Sequence, residues 1–344
     1  MDALRRIAFL LERSQAQTYR VQAFRTAAAA LAVLDPDDLE TLAQAGTLGG
    51  IKGIGPKTAA VVEQALAGQV PDYLAGLEAD APTIGTGRGG ALLAALRGDL
   101  HSHSEWSDGG SPVQEMAATA TALGHDYLAM TDHSPRLTVA NGLTVERLQR
   151  QLELVMEVDG AMEGFRLLSG IEVDIDEDGE LDQTPAMLDR LDVVVASVHS
   201  KLRMASGPMT RRMLEAVADP HTDVLGHCTG RMVTGSASRG ASNRPSGRPE
   251  STFDAALVFA ACADAQVAVE INCRPERLDP PRRLLTQAVE AGCLFSIDTD
   301  AHAPGQLDWR MLGCDRAVEC GVDPDRVVNT WDVDRLLAWT SRRR

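Results

Sequence analysis

From Leu100 onward, short apolar runs rich in β-branched residues alternate with longer stretches of helical period. The runs at 98–103, 127–131, 166–174, 192–198, 223–226, 267–272 and 294–298 read as buried parallel strands. The stretches between them, such as 112–123, 145–158 and 281–291, read as helices. Seven such repeats predict a closed parallel barrel of the α/β class. Residues 1–80 differ, because apolar positions recur at helical spacing over 1–13, 19–34 and 36–45. Asp35-Pro36 reads as an N-cap followed by proline at the first helical position. Gly53 and Gly55 then flank Ile54, and Pro56 opens a helix through Leu66. That pattern predicts a tight turn whose free backbone N–H groups, at a helix N-terminus, can hold a phosphate. Residues 81–98, with Pro82, Gly85, Gly87, Gly89 and Gly90, read as a flexible linker. The organisation expected is a helical domain over 1–80, a linker over 81–98 and a barrel over 99–344. Residues 235–249, rich in Ser, Gly, Arg and Pro, read as a mobile surface loop.

Histidines and carboxylates gather at the ends of the apolar runs. They are His101, His103, Asp108, His133, Glu172, His199, His227, Asp300 and His302. Strand ends of a parallel barrel converge on one face, where such barrels place their chemistry. Nine nitrogen and oxygen ligands exceed what one ion can use, so a cluster of two or three metals is expected. The mixture of imidazole and carboxylate admits Zn, Mn or Fe. His101 and His103 alternate along a strand and would face opposite ways unless the strand ends or twists between them. Asp132 and Asp298 flank ligands and read as acceptors that orient them. His125 and His221 fall outside the pattern. The acidic run Asp174, Asp176, Glu177, Asp178 and Glu180 lacks calcium-loop spacing and reads as a solvated loop.

These residues resemble the PHP (polymerase and histidinol phosphatase) family. The resemblance rests on His101-Ser102-His103, Thr131-Asp132-His133-Ser134, Glu172, Ser197-Val198-His199-Ser200, Gly226-His227 and Asp300-Ala301-His302. It implies a distorted seven-stranded barrel and three ion sites. The first would use His101, His103, Glu172 and Asp300; the second His199, His227 and a shared Glu172; the third Asp108, His133 and His302. The hairpin segment resembles a helix-hairpin-helix motif, and residues 1–80 are similar to the small N-terminal domain of bacterial family X DNA polymerases. That likeness implies contact with DNA through Gly53, Gly55 and Lys57. A family X polymerase would place its palm and thumb between these two parts. Here only the linker stands there, so polymerase activity is not expected.

Clustered divalent ions suit phosphoester hydrolysis. No Gly-x-Ser-x-Gly nucleophile motif appears, so attack by metal-bound hydroxide is the expected route. Lys201, Arg203 and Arg231, just beyond His199 and His227, are the candidate phosphate binders. The reading is therefore a metal-dependent phosphoric ester hydrolase acting on DNA ends, as a 3′–5′ exonuclease or 3′-phosphatase. The alternative is a small-molecule phosphatase acting on a phosphomonoester such as histidinol phosphate.

Charge and composition set bounds. The net charge of −16 opposes broad nonspecific binding to nucleic acid. Residues 1–80 carry seven Arg and Lys against ten Asp and Glu, so any grip on DNA should be local and weak. Six cysteines without a Cys-x-x-Cys pair read as buried reduced thiols, with Cys228 beside His227 the one weighed as a ligand. No apolar run approaches the ~20 residues that span a bilayer, and no signal peptide is apparent, so no membrane partner and a cytoplasmic location are expected.

Overall fold

A computed structural model describes residues 1–81, 87–233 and 247–343. The chain divides into two compact units, Met1–Thr83 with Pro304–Gln306, and Ile84–Ala303 with Leu307–Arg344.

The first unit is helical: α1 (Asp2–Arg13), α2 (Thr18–Ala32), α3 (Pro36–Gln44), α4 (Pro56–Leu66) and α5 (Asp72–Asp80). In α1, Leu4, Ile7, Ala8 and Leu11 are buried at the spacing that puts one stripe on one helix face. They join Phe24, Ala27 and Leu31 of α2 and Val61 and Val62 of α4 among the buried residues. Glu12, also buried, takes two hydrogen bonds from Arg25, at 2.8 and 2.7 Å. Asp35 caps α3 by accepting from the Asp37 N–H at 2.9 Å, with Pro36 in the first turn as the sequence predicts.

The second unit is a barrel. Its strands are β1 (Gly98–Asp99), β2 (Tyr127–Met130), β3 (Arg166–Asp174), β4 (Val193–Ser197), β5 (Val224–Leu225), β6 (Ala268–Asn272) and β7 (Leu294–Asp298). They lie in chain order, each parallel to its neighbour. Helices such as Val113–Ala122, Val145–Gly160 and Ser206–Ala218 connect them. β1 and β7 are not joined by a ladder. The gap is spanned by a bridge between Ser102 and Ala301, and by carboxylates that accept from backbone. Asp298 accepts from the Leu100 N–H at 2.8 Å, and Asp99 from the Thr299 N–H at 3.1 Å and the His101 N–H at 3.1 Å. The barrel is thus nearly closed.

Alternation along each strand separates two surfaces. Ile171, Val173, Val194, Ala196, Val269, Ile271, Phe295 and Ile297 pack outward, in the core that includes helix residues such as Met213 and Phe259. The inward rows start apolar and end polar. Leu168, Val193, Val224, Ala268 and Leu294 pack with Trp331, Leu336 and Trp339 at the N-terminal strand ends, where helix Val333–Thr340 covers the barrel. Glu172, Asp174, Glu270 and Asn272 follow at the C-terminal ends of the same rows.

Part of the expected linker is a structured piece of the barrel unit. Gly90–Ala95 forms α6, and Leu92 and Leu96 are buried in the barrel's outer core. Residues 82–86 and most of the loop read at 235–249 lie outside the described residues. Among the described residues, no helix is long and apolar enough to cross a membrane.

Candidate metal centre

β1 stops at Asp99, two residues before His101, so the chain leaves the ladder exactly where alternation would have separated the two rings. The rings of His101 and His103 lie 5.1 Å apart, and their Nε2 atoms reach the same Glu172 oxygen, Oε2, at 3.3 and 3.5 Å. Glu172 lies near the C-terminal end of β3 with 1% exposure. Its two oxygens face different partners. Oε1 meets His199 Nε2 at 3.1 Å and His227 Nε2 at 2.8 Å. Oε2 meets His101, His103 and, at 2.8 Å, His133 Nδ1. Asp300 Oδ1 lies 3.4 Å from His103 Nε2 and 4.0 Å from His101 Nε2. Asp108, on the loop after β1, meets His133 Nε2 at 3.5 Å and His302 Nε2 at 3.3 Å.

All nine expected ligand residues therefore lie together. They fall into overlapping groups: His103, Asp108, His133 and His302; His101, His103 and Asp300; His101, Glu172 and His227; His133, Glu172 and His199. The groups share members more than three separate sites would, with His101, His103, His133 and Glu172 each reaching two. The inward ring nitrogens of His101, His103, His199 and His227 and both Glu172 oxygens are buried without a hydrogen-bond partner among the described residues. Buried polar atoms in that state are costly unless something binds them. Ligand atoms bonded at about 2.1 Å around a tetrahedral ion lie about 3.4 Å apart, close to the spacings here. The residues fit a multinuclear metal centre.

Electrostatics prepare several of these groups. Burial alone would raise the Glu172 carboxyl, but His101, His199 and His133 hold it well below its usual range. Burial likewise opposes ionisation of Asp300, and Arg274 and His101 reverse it. Burial, helped by His302 and His133, keeps the His103 imidazole neutral, and burial with Arg277 pushes His227 down to about 3. Neutral rings are the form that binds metal. Burial would lower His199 too, yet Glu172 and Asp174 raise it to about 9.

A ring of buried acceptors holds the ligand-bearing segments. Asp132 accepts from the Ser104 N–H at 2.9 Å and Ser104 Oγ at 2.6 Å, and from the Ser107 N–H at 3.2 Å; Gln151 also donates to it. It thereby fixes the loop that carries Asp108 rather than orienting a histidine. Asp174 departs from the solvated-loop reading: it is buried, accepts from the His199 N–H at 3.0 Å and lies 3.3 Å from His199 Nδ1. Glu177, Asp178 and Glu180 are exposed as expected. Cys228 lies at 3.9 Å from Asp279 and outside every ligand group; burial and Asp279 push its thiol up. His221 sits between Asp219 and Asp189, at 2.9 and 3.0 Å, outside the ligand groups, as His125 is.

The expected phosphate binders face solvent or have other partners. Lys201 and Arg203 are exposed, and Lys201 lies 3.8 Å from Glu177. Arg231 spends its guanidinium on the backbone carbonyls of Arg277 and Leu278. The cations that do reach the cluster are Arg274, 3.4 Å from Asp300 Oδ1, and Arg277, 3.1 Å from Asp300 Oδ2. Both follow β6, and their distance in sequence from any histidine concealed them.

In the helical unit the two hairpin glycines differ. Gly53 has φ +97°, whereas Gly55 has an ordinary φ of −101° and its N–H donates to Thr58 Oγ1 at 3.0 Å. The Ile54 N–H is also taken, by Ile51 O at 3.0 Å. Among the described residues, the amides left to a ligand include that of Gly53 and those of the first turn of α4, beginning at Lys57. Lys57 is exposed, its Nζ lying 4.0 Å above the Tyr73 ring, and Arg20 donates to the Tyr73 hydroxyl at 2.6 Å.

The model of a helix-hairpin-helix domain matches residues 1–70, and that of a PHP domain matches residues 99–273. The chain is 35% identical over 250 residues to the DNA polymerase/3′-5′ exonuclease PolX of Bacillus subtilis (strain 168), a match covering 73% of this chain and 42% of that protein. This chain therefore spans less than half of that relative. It is 26% identical over 257 residues to a probable phosphatase of Thermoanaerobacter sp. (strain X514), covering 72% of this chain and 95% of that one. Among solved structures, the histidinol phosphate phosphatase of Lactococcus lactis subsp. lactis Il1403, complexed with zinc, L-histidinol and phosphate, matches with a TM-score of 0.46 at 18% identity over 65% of this chain and 92% of that chain.

Proposed function

The chain belongs to the PHP-domain family, and from that premise we propose that it is a metal-dependent phosphoesterase acting on DNA ends, as a 3′–5′ exonuclease or 3′-phosphatase. The observation that carries the chemistry is Glu172, whose two oxygens face two groups of histidines with no hydrogen-bond partner of their own. A carboxylate so placed would be shared between two ions. His101, His103 and Asp300 would hold one, His199 and His227 a second, and Asp108, His133 and His302 a third, all divalent and drawn from Zn, Mn and Fe. When bound, such ions supply Lewis acidity to the phosphoryl group and to the attacking water. The protein's own groups do the rest. Arg274 and Arg277 add positive charge beside Asp300, where a phosphate would arrive. The Cys228 thiol stays protonated and buried, so it supplies no nucleophile.

The helix-hairpin-helix unit and the likeness to PolX favour DNA as substrate. The match to phosphatases over nearly their whole length favours a small phosphomonoester, which is the second reading. Residues 71–98, between the two matched segments, hold only α5, α6 and the first residue of β1 among the described residues, and we propose no polymerase activity. DNA would be held by the Gly53 amide, the first-turn amides of α4 and Lys57. The test compares the full-length protein, with manganese or zinc, on labelled single-stranded DNA, 3′-phosphorylated DNA and histidinol phosphate. The DNA substrates should be turned over, and Lys57→Glu should weaken DNA binding alike for all sequences and lower its salt slope by about 1. Cleavage of a chromogenic phosphodiester should be unchanged in that variant. Turnover of histidinol phosphate alone would establish the second reading instead.

A further inference from the structure

Of the seven strands, β6 is the one whose end carries no candidate ligand. His101 and His103 follow β1, His133 follows β2, Glu172 lies in β3, His199 follows β4, His227 follows β5, and Asp300 and His302 follow β7. β6 nevertheless sends two polar side chains, Glu270 and Asn272, into the same face at alternate positions, and neither has any exposed surface. Glu270 Oε1 lies 2.6 Å from His101 Nδ1, and Oε2 accepts the backbone N–H of His227. Asn272 Nδ2 donates to Asp300 Oδ2 at 3.1 Å and to Glu270 Oε2 at 3.3 Å. One pair of side chains thus touches three ligands from three other strands.

We propose that Glu270 and Asn272 are positioning residues that hold His101, His227 and Asp300 in the orientation that coordinates metal. The inference rests on reading the cluster as a metal centre. Two carboxylates beside His101 have opposite characters. Glu270 Oε2 accepts from two amides and Oε1 faces the His101 ring nitrogen within hydrogen-bond distance, whereas neither Glu172 oxygen has a hydrogen-bond partner among the described residues. Glu172 is free to bind ions and Glu270 is not. An ionised Glu270 requires the proton of His101 on Nδ1, which leaves the Nε2 lone pair facing Glu172 at 3.3 Å and Asp300 at 4.0 Å. A glutamine at 270 cannot reproduce this. Its carbonyl satisfies one partner, and its amide group then confronts either the His227 N–H or the His101 ring, forcing the wrong tautomer.

Two measurements on the full-length, zinc-loaded protein test the assignment. Long-range proton–nitrogen NMR of the parent should find the His101 proton on Nδ1 and the metal shift on Nε2. Competition with a chromogenic chelator should show Glu270→Gln weakening zinc by about 10- to 100-fold at the sites using His101 and His227. The site of Asp108, His133 and His302 should keep its affinity. A role confined to packing would instead weaken all sites alike. A His101 proton on Nε2, equal loss at every site, or zinc held by Glu270→Gln as tightly as by the parent would overturn the inference while leaving the metal centre standing. A parent chain that binds no zinc would overturn both.

Discussion

Gly53 and Gly55 are indistinguishable in the sequence pattern and opposite in the fold. A Cβ on Gly53 would come within 2.8 Å of Thr26 Cγ2 on a backbone at φ +97°, whereas around Gly55 nothing lies within 4 Å. Gly53→Ala should therefore destabilise the helical unit by about 1–2 kcal/mol, and Gly55→Ala should leave it unchanged. Thermal unfolding followed by circular dichroism decides this, and equal midpoints for the two variants would refute it. Spacing announced the turn but not which glycine bears the left-handed conformation. The same division runs through the metal centre. Its nine candidate ligand residues were legible because they sit at or just beyond the ends of apolar runs. Asp174, Glu270 and Asn272 were given no role at the site, although each stands two positions from another polar residue of the same strand face, a signal the alternation rule contains. Asp174 was masked by the acidic run it opens, whose Glu177, Asp178 and Glu180 are exposed. Arg274 and Arg277 were missed because closeness in sequence to a histidine was taken for closeness in space.

At the scale of elements, the strands were readable because each is a short apolar run buried on both faces. β1 and β5 are shorter than the pattern predicts, two residues each. Beyond them the chain turns out of the ladder to deliver His101, His103 and His227, and apolar patterning does not record where a ladder stops. The glycines of the expected linker concealed α6 for a related reason, since Ala91–Ala95 alone is too brief a pattern to outweigh them. Leu92, at 4% exposure, is nonetheless packed in the barrel's outer core. Leu92→Ala should cost the barrel about 2–5 kcal/mol. Urea unfolding measures it, and a loss below about 0.5 kcal/mol would mean that α6 only rests on the surface.

For the whole molecule, the change of pattern from helical period to alternating strands and helices marked the division into a helical unit and a barrel. The repeats predicted that the barrel closes, but not how, since the closure rests on side chains meeting backbone across the gap between β1 and β7. Because the ligands come from six strands of one unit, ions should stabilise that unit alone. At a hundredfold excess over the dissociation constant the gain is about 2.7 kcal/mol. Calorimetry with and without a chelator should show one transition moving and another staying. Equal movement of both, or of neither, would contradict the assignment of the centre to the barrel.

The gap between β1 and β7 has a further consequence. A rolled sheet whose rims do not meet in a ladder exposes two edges, and free edges invite strands from other molecules. Here the inviting groups are already engaged. The Leu100 amide is held by Asp298, the His101 amide by Asp99, the Thr299 amide by Asp99, and the Ile297 amide by Asn329 at 2.7 Å. A foreign strand arriving at either rim meets no vacant donor at these positions. The side chains that complete the barrel thereby also guard it against edge-to-edge aggregation.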